Sequence, residues 1–142
     1  MDEKVLLVDD EAEFLDTLAE RMRNRGMQVT TSMSAVDAVH KTVADDSDAV
    51  ILDLQMPGVD GIQALKALKQ RKPDLEVIFL TGHATVQKSV EAMKLGAMDL
   101  LEKPADIDEL TDKILKARVQ KMILVERKAE EKIWDILKSK SW

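Results

Sequence analysis

The stretch DAVILDLQMPGVDG, residues 48–61, ends an apolar run directly on a carboxylate, and both the fold and the site follow from it. Ala49 to Leu52 are uninterrupted apolar residues, which is typical of a strand covered on both faces of a parallel sheet. Asp53 comes next, and a Pro-Gly turn signal follows it. We therefore expect Asp53 to emerge at a sheet edge where metal and water surround it, and Asp48 and Asp60 to belong to turns.

Short apolar runs recur along the chain, and each is followed by apolar residues at helical spacing. Ser34 and Asp106 are suited to cap helix starts, and Gly26, Pro73 and Gly96 to end helices. The pattern predicts five strands and five helices in strict alternation, with the strands at residues 5–8, 28–31, 48–52, 77–80 and 98–101.

Strands that are separated by helices run parallel, with right-handed crossovers and helices on both faces of the sheet. The predicted fold class is therefore α/β, a doubly wound five-stranded parallel sheet of (βα)5 type. In such sheets ligands bind outside the carboxyl ends of the strands. The residues just after each strand are the ones to inspect for function.

Composition limits the function classes. The chain has 142 residues, enough for one ordinary domain, and no Cys, which excludes disulfides, thiol chemistry and Cys-based zinc sites. The net charge of −6 argues against non-specific nucleic-acid binding. No signal peptide is recognisable and no apolar run is long enough to cross a bilayer, so we predict a cytoplasmic protein without membrane insertion.

Charged and polar residues follow four of the predicted strands: Asp9 and Asp10, then Asp53, Thr81 and Lys103. Taken singly, each is more typical of a helix cap, a loop or a solvated lysine. Together they predict one site, in which clustered carboxylates hold Mg²⁺, a hard cation that prefers oxygen ligands. One carboxylate, Asp53, would remain free to accept a phosphoryl group, with the metal and an ammonium group offsetting its charge.

The segments VLLVDDE, DAVILDLQMPGVDGI, VIFLTGHA and GAMDLLEKP, which span most of residues 4–104, resemble the receiver domain of bacterial two-component response regulators. The resemblance implies a flavodoxin-like sheet in the order 2-1-3-4-5. It implies that Asp53 is the phosphoacceptor, that Asp9, Asp10, Asp53 and the Gln55 carbonyl bind Mg²⁺, and that Thr81 and Lys103 contact the phosphoryl group.

The resemblance also implies partners. A sensor histidine kinase or phosphotransfer protein would donate the phosphoryl group, and a downstream output protein or domain would read it. The chain would be a phosphoacceptor that assists its own phosphorylation and dephosphorylation, not an enzyme with a separate substrate. The family often carries an aromatic switch residue where this chain has Leu100. The resemblance therefore implies the phosphorylation chemistry, but not the usual response of an aromatic side chain to phosphorylation. His83 would either flank the phosphoryl group or lie exposed in a loop.

The tail is longer than one closing helix requires. We assign residues 1–120 to the receiver domain and residues 121–142 to a C-terminal helical extension or linker, with no output domain recognisable. Apolar residues step by four and three along it, with polar breaks at Glu126 and Lys140. This seam predicts a homodimer or another docking contact through the C-terminal helix; the alternatives are a helix folded back on its own domain or a linker that is cut short.

Other functions are compatible with parts of the pattern. A phosphatase of the haloacid-dehalogenase type would need a second acid two residues after Asp53, where this chain has Gln55. A nucleotide-binding domain would need a glycine-rich loop after the first strand, where VDDEAEF has none. A phosphorylation-independent scaffold is a further alternative, and the intact set of acids, Thr81 and Lys103 argues against it. A receiver fragment of a larger regulator, whose output domain is absent, is the last alternative.

Overall fold

The computed structural model describes residues 2–56, 58–82 and 85–139, and it has the predicted alternation of strands and helices. The main sheet is parallel throughout, in the order β2-β1-β3-β6-β7, which is 2-1-3-4-5 when its five strands alone are counted. The predicted doubly wound fold is therefore confirmed. The elements in chain order are β1 (Lys4–Val8), α1 (Ala12–Arg23), β2 (Gln28–Ser32), α2 (Ala35–Ala44), β3 (Ala49–Leu52), β4 (Gln55–Met56), β5 (Val59–Asp60), α3 (Gly61–Arg71), β6 (Val77–Thr81), α4 (Val86–Lys94), β7 (Asp99–Glu102) and α5 (Ile107–Ser139).

Helices cover both faces of the sheet, which explains why the central strands are apolar at every position. Side chains such as Leu6 and Val50 pack beneath α2, α3 and α4, whereas Leu7 and Ile51 pack beneath α1 and α5. All four residues of β3 are buried. Alternate residues of one strand thus enter opposite cores, and no face of β3 is left for a polar side chain.

Each strand of the main sheet begins or ends one residue from its predicted bound, and one hairpin was not predicted. β4 and β5 form a two-stranded antiparallel hairpin directly after Asp53, in a segment where only a turn was expected. Strands of two residues give no periodic signal, so the pattern could not show them. β7 begins at Asp99, one residue later than predicted, and extends to Glu102. Pro57, the centre of the predicted turn, lies outside the described residues.

Side-chain caps explain where several helices begin. The Ser34 hydroxyl accepts a hydrogen bond from the Asp37 N–H, and an Asp106 carboxylate oxygen accepts one from the Asp108 N–H, as predicted. Asp60 has a more specific place than a turn, because it is the N-cap of α3 and accepts from the Ile62 N–H. Asp48 accepts from the Lys4 N–H at the start of β1.

α5 is a single helix of 33 residues in the described part of the chain. Its first half is anchored by Leu110, Ile114 and Ala117, each of which is fully buried. Beyond them, Lys121 bonds Asp46 at 2.7 Å and Lys128 pairs with Asp74 at 2.8 Å. Lys140, the last polar position of the predicted seam, lies outside the described residues. Within those residues, no helix is both long and apolar enough to span a membrane.

Candidate functional site

The register of β1 and β3 brings the first acids of the site together. Val8 is paired with Leu52, and the N–H of the next residue, Asp53, donates to the Val8 carbonyl at 3.2 Å. Asp9 and Asp53 therefore leave neighbouring strands at the same level of the sheet. Both side chains are buried, with residue exposures of 2% and 5%, although each carries a carboxylate.

Asp10 completes a group of three carboxylates with Asp9 and Asp53. One oxygen from each residue lies within 4.8 Å of the others, and Asp10 is partly exposed at the mouth of the group. Carboxylates this close repel one another, which makes the cluster unfavourable unless positive charge is present. Oxygen donors with an opening to solvent match the ligand preference of Mg²⁺, which retains several waters when it binds.

Backbone N–H groups fix the two buried carboxylates in place. An Asp9 oxygen accepts from the Glu11 N–H at 2.9 Å, and an Asp53 oxygen accepts from the Gln55 N–H at 3.2 Å. Each bond spans two residues, so the chain turns tightly around each acid as it leaves its strand. The turn at Asp53 leads directly into β4 and places Gln55 beside the cluster.

Lys103 supplies the positive charge in the structure. Its Nζ lies 2.7 Å from an Asp9 oxygen and 3.4 Å from an Asp53 oxygen, and Glu11 is more distant at 3.8 Å. The Lys103 side chain is only 14% exposed. The same Nζ also lies 4.2 Å from the centre of the Phe14 ring, within the range of a cation–π contact.

Burial shifts the pKa values of Asp9 and Lys103 in one direction, and the hydrogen bonds and charges between these residues shift them in the other. Burial raises the pKa of the Asp9 carboxyl, and the hydrogen bonds from Lys103 and the Glu11 N–H offset only part of that effect. Burial alone would lower the pKa of Lys103, but its hydrogen bond to Asp9 and the charges of Asp9, Asp53 and Glu11 outweigh it and raise that pKa. The lysine is therefore held as an ammonium group.

Thr81 is the last residue of β6 and is completely buried. It pairs with Glu102 across the β6–β7 register, and its carbonyl accepts from the Lys103 N–H at 2.9 Å. The backbone thus joins Thr81 to Lys103 at the same sheet edge that carries the acids. Leu100 stands where the receiver domains that the sequence resembles often have an aromatic residue. It is partly buried and packs against the core beneath α2, α3 and α4.

The structure brings together most of the residues that the sequence singled out. Asp9, Asp10, Asp53 and Lys103 form one group, Thr81 joins it through the β6–β7 edge, and Gln55 adjoins it through its N–H. His83 lies outside the described residues, so its predicted position is not described. Phe14, which contacts Lys103, was not among the residues that the sequence singled out. The signal that could have indicated it is its place in the first turn of α1, the helix that begins just after the acidic pair.

Comparison with known proteins agrees with this geometry. Residues 5–115 match the family model described as the response regulator receiver domain. The chain is 35% identical over 114 residues to the photosynthetic apparatus regulatory protein RegA of Cereibacter sphaeroides, which is 80% of this chain and 62% of RegA. It thus spans 62% of the length of RegA, and only 22% of the length of the DNA-binding transcriptional regulator NtrC of Escherichia coli.

Two solved structures have the same fold. A response regulator receiver domain protein from Clostridium thermocellum superposes with a TM-score of 0.79 and 31% identity, over 86% of this chain and 98% of that one. Response regulator TrrA from Thermotoga maritima, solved with Mg²⁺ and BeF, superposes with a TM-score of 0.73 and 28% identity, over 81% and 98%. The chain therefore belongs to the response regulator receiver domain family, the receiver domains of two-component signalling proteins.

Proposed function

We propose that Asp53 is the phosphoacceptor of this receiver domain and that a sensor histidine kinase or phosphotransfer protein is its phosphoryl donor. The observation that carries the proposal is the position of Asp53 in the cluster that it forms with Asp9, Asp10 and Lys103. Asp53 is buried at the end of β3, and the Lys103 ammonium contacts both its carboxylate and that of Asp9. A carboxylate held in this way by its neighbours is oriented for nucleophilic attack on phosphorus.

The site has the donor set for Mg²⁺. We assign Asp10, Asp53 and the Gln55 carbonyl as ligands, with Asp9 alongside, because three carboxylate oxygens already lie within 4.8 Å of one another. Bound there, Mg²⁺ would offset the negative charge of the transferring phosphoryl oxygens. TrrA, solved with Mg²⁺ and BeF, supports this assignment from a relative of the same fold.

The chain's own residues account for the remaining chemistry. An Asp53 oxygen forms the new bond to phosphorus while the bond from phosphorus to the donor atom breaks. The electron pair of the broken bond leaves with the donor atom. Lys103 Nζ lies 3.4 Å from Asp53 and can bond a phosphoryl oxygen placed there. The Thr81 hydroxyl, at the end of the adjacent strand, is assigned to a second phosphoryl oxygen.

The rival functions fit the site less well. A phosphatase of the haloacid-dehalogenase type needs an acid two residues after its nucleophile, and Gln55 cannot transfer the proton. A phosphate loop is replaced after β1 by the acidic pair Asp9 and Asp10, which repels phosphate. Assistance by these residues in dephosphorylation, and a cytoplasmic location, remain predictions.

Incubation with acetyl phosphate and Mg²⁺, followed by intact mass measurement, tests the proposal. We expect one added phosphoryl group that depends on Mg²⁺ and is absent from Asp53→Asn. Asp48→Asn is the matched control, because Asp48 precedes the same strand at the opposite edge and bonds the Lys4 N–H there. A modification that persists in Asp53→Asn, or none in the unaltered chain with Mg²⁺, would contradict the assignment.

The partners are also part of the proposal. We infer a receiver domain over residues 1–120 whose phosphorylation changes the binding of an output protein or domain, as expected for a chain that spans only part of its relatives. Residues 121–142 are assigned to the helical extension. Its exposed apolar residues include Met122, Ile133 and Ile136, and we propose that a second copy of the chain covers them.

A further inference from the structure

We propose that Phe14 is a positioning residue for phosphoryl transfer, because its ring holds the Lys103 ammonium between Asp9 and Asp53. This role rests on the proposed function of Asp53. The observation is the 4.2 Å distance from Lys103 Nζ to the centre of the Phe14 ring. At this distance the negative face of the ring attracts the ammonium, in addition to the ion pairs that Lys103 forms.

The surroundings of Lys103 show what the ring contributes. Two buried carboxylates lie within 3.4 Å of Nζ, and Glu11 lies at 3.8 Å but is largely exposed. The contact is closest to Asp9, at 2.7 Å, so the strongest attraction draws the ammonium away from the phosphoacceptor. A polarisable ring face beside Nζ attracts the charge without binding it as a carboxylate does. The lysine therefore stays ordered while remaining free to exchange partners.

The fold explains why the ring is at this place. Phe14 lies in the first turn of α1, the helix that begins just after the acidic pair, and it packs partly against the core beneath α1 and α5. Lys103 follows β7 on the same edge of the sheet. The turn that fixes Asp9 through the Glu11 N–H thus also fixes the ring. One short segment, residues 9–14, positions the carboxylate and the aromatic neighbour of Lys103 together.

The experiment distinguishes the effect of the aromatic ring of Phe14 from the effect of its side-chain volume. Phe14→Leu and Phe14→Met keep an apolar side chain in the core but remove the ring, whereas Phe14→Tyr keeps the ring. We expect phosphorylation by acetyl phosphate at saturating Mg²⁺ to be about two- to fivefold slower in the Leu and Met variants, the factor that corresponds to an ordinary cation–π contact. The Tyr variant should phosphorylate at close to the unaltered rate. Circular dichroism of each variant is the measurement that checks its folding.

A second readout does not depend on phosphorylation. In NMR spectra the ε-methylene protons of Lys103 should be shifted upfield by the ring in the unaltered chain and in Phe14→Tyr, and should return to ordinary values in the Leu and Met variants. Equal phosphorylation rates in all four chains, or rates that follow side-chain volume instead of the ring, would overturn the positioning role. An unaltered chain that is not phosphorylated would overturn the proposed function, whereas the Lys103 shift would still report whether the contact exists.

Discussion

At the residue scale, the site depends on which atoms the chain can bring close to Asp53. The carboxylates of Asp9 and Asp53 are buried, yet each accepts a backbone N–H, and both contact Lys103. A buried charge is tolerated when it is paired and hydrogen-bonded in this way. Burying these charges is costly for folding. The same arrangement favours cation binding, because Lys103 alone does not neutralise the three carboxylates and a second positive charge relieves the repulsion that remains among them.

Gly61 is a residue on which the geometry next to Asp53 depends. A Cβ at this position would lie 2.6 Å from the Leu54 backbone and 2.9 Å from the Asp53 carbonyl oxygen. The Gly61 N–H also donates to the Leu54 carbonyl at 2.8 Å. The start of α3 thus lies directly against the segment that follows Asp53, and a side chain at Gly61 must displace backbone.

We therefore expect Gly61→Ala to lower the free energy of unfolding by about 1–3 kcal/mol, as overpacking does elsewhere. Urea denaturation measures it. Gly82→Ala is the matched control, because a Cβ there has nothing within 4 Å, and the expected change is below about 0.5 kcal/mol. Equal effects of the two substitutions would show that the close approach at Gly61 is relaxed at little cost.

At the element scale, an ion pair joins the start of β7 to α5. The Asp99 carboxylate lies 2.6 Å from Lys113 Nζ and accepts from the Leu100 N–H at 2.8 Å. Burial acts to raise the pKa of Asp99, but these hydrogen bonds and the charges of Lys113 and Lys116 outweigh it and hold that pKa below its usual range. β7 carries Leu100, so this pair fixes the strand in which the family's switch position lies.

The sign of that pKa shift predicts a pH dependence. Since the folded-state pKa of Asp99 is lowered, its contribution to stability is present above the ordinary value of 3.8 and is lost as the pH falls through the folded-state pKa. At neutral pH and low salt, Asp99→Asn should lower the free energy of unfolding by at most about 1 kcal/mol, because solvent screens the pair.

Denaturation of both chains from neutral pH down to about pH 3 tests this. The difference between them should shrink as the pH falls below 3.8. Asp112→Asn removes the same charge from an exposed position on α5 and serves as the control. A difference that stays constant across the pH range would indicate lost packing or hydrogen bonding at Asp99 instead of a lost charge.

At the scale of the whole molecule, α5 extends well past the body it packs on. A helix of 33 residues is about 50 Å long. Its exposed Ile133 lies roughly 100–160° around the helix from the buried residues Leu110, Ile114 and Ala117. A straight helix cannot turn that face toward its own domain, which favours a second copy over the predicted alternative of a helix folded back.

Light scattering tests the proposed dimer. We expect the unaltered chain to be dimeric, and Ile133→Lys to be monomeric because it places a charge in the apolar seam. Glu131→Lys is the control, since it introduces the same side chain on the opposite face of the helix and should leave the dimer intact. A chain that stays monomeric at high concentration, or a dimer that persists in Ile133→Lys, would contradict the proposal.

The order of elements was predictable because each element leaves a local pattern. The apolar run before Asp53 predicted β3, and Ser34 and Asp106 predicted helix starts that the structure confirms. The two-residue strands β4 and β5 were not predictable, since they are too short to show a period. The start of β7 was misplaced by one residue because its boundary depends on pairing with β6, not on its own composition.

The sequence by itself determined the parallel α/β architecture and the set of acids, threonine and lysine at the strand ends, because strand polarity sends those ends to one edge. Only the tertiary structure decided how these groups meet. It paired Lys103 more closely with Asp9 than with Asp53, and it placed the Phe14 ring against the same ammonium. These contacts join residues far apart in the chain, and their distances follow from packing on the sheet, which no local spacing encodes.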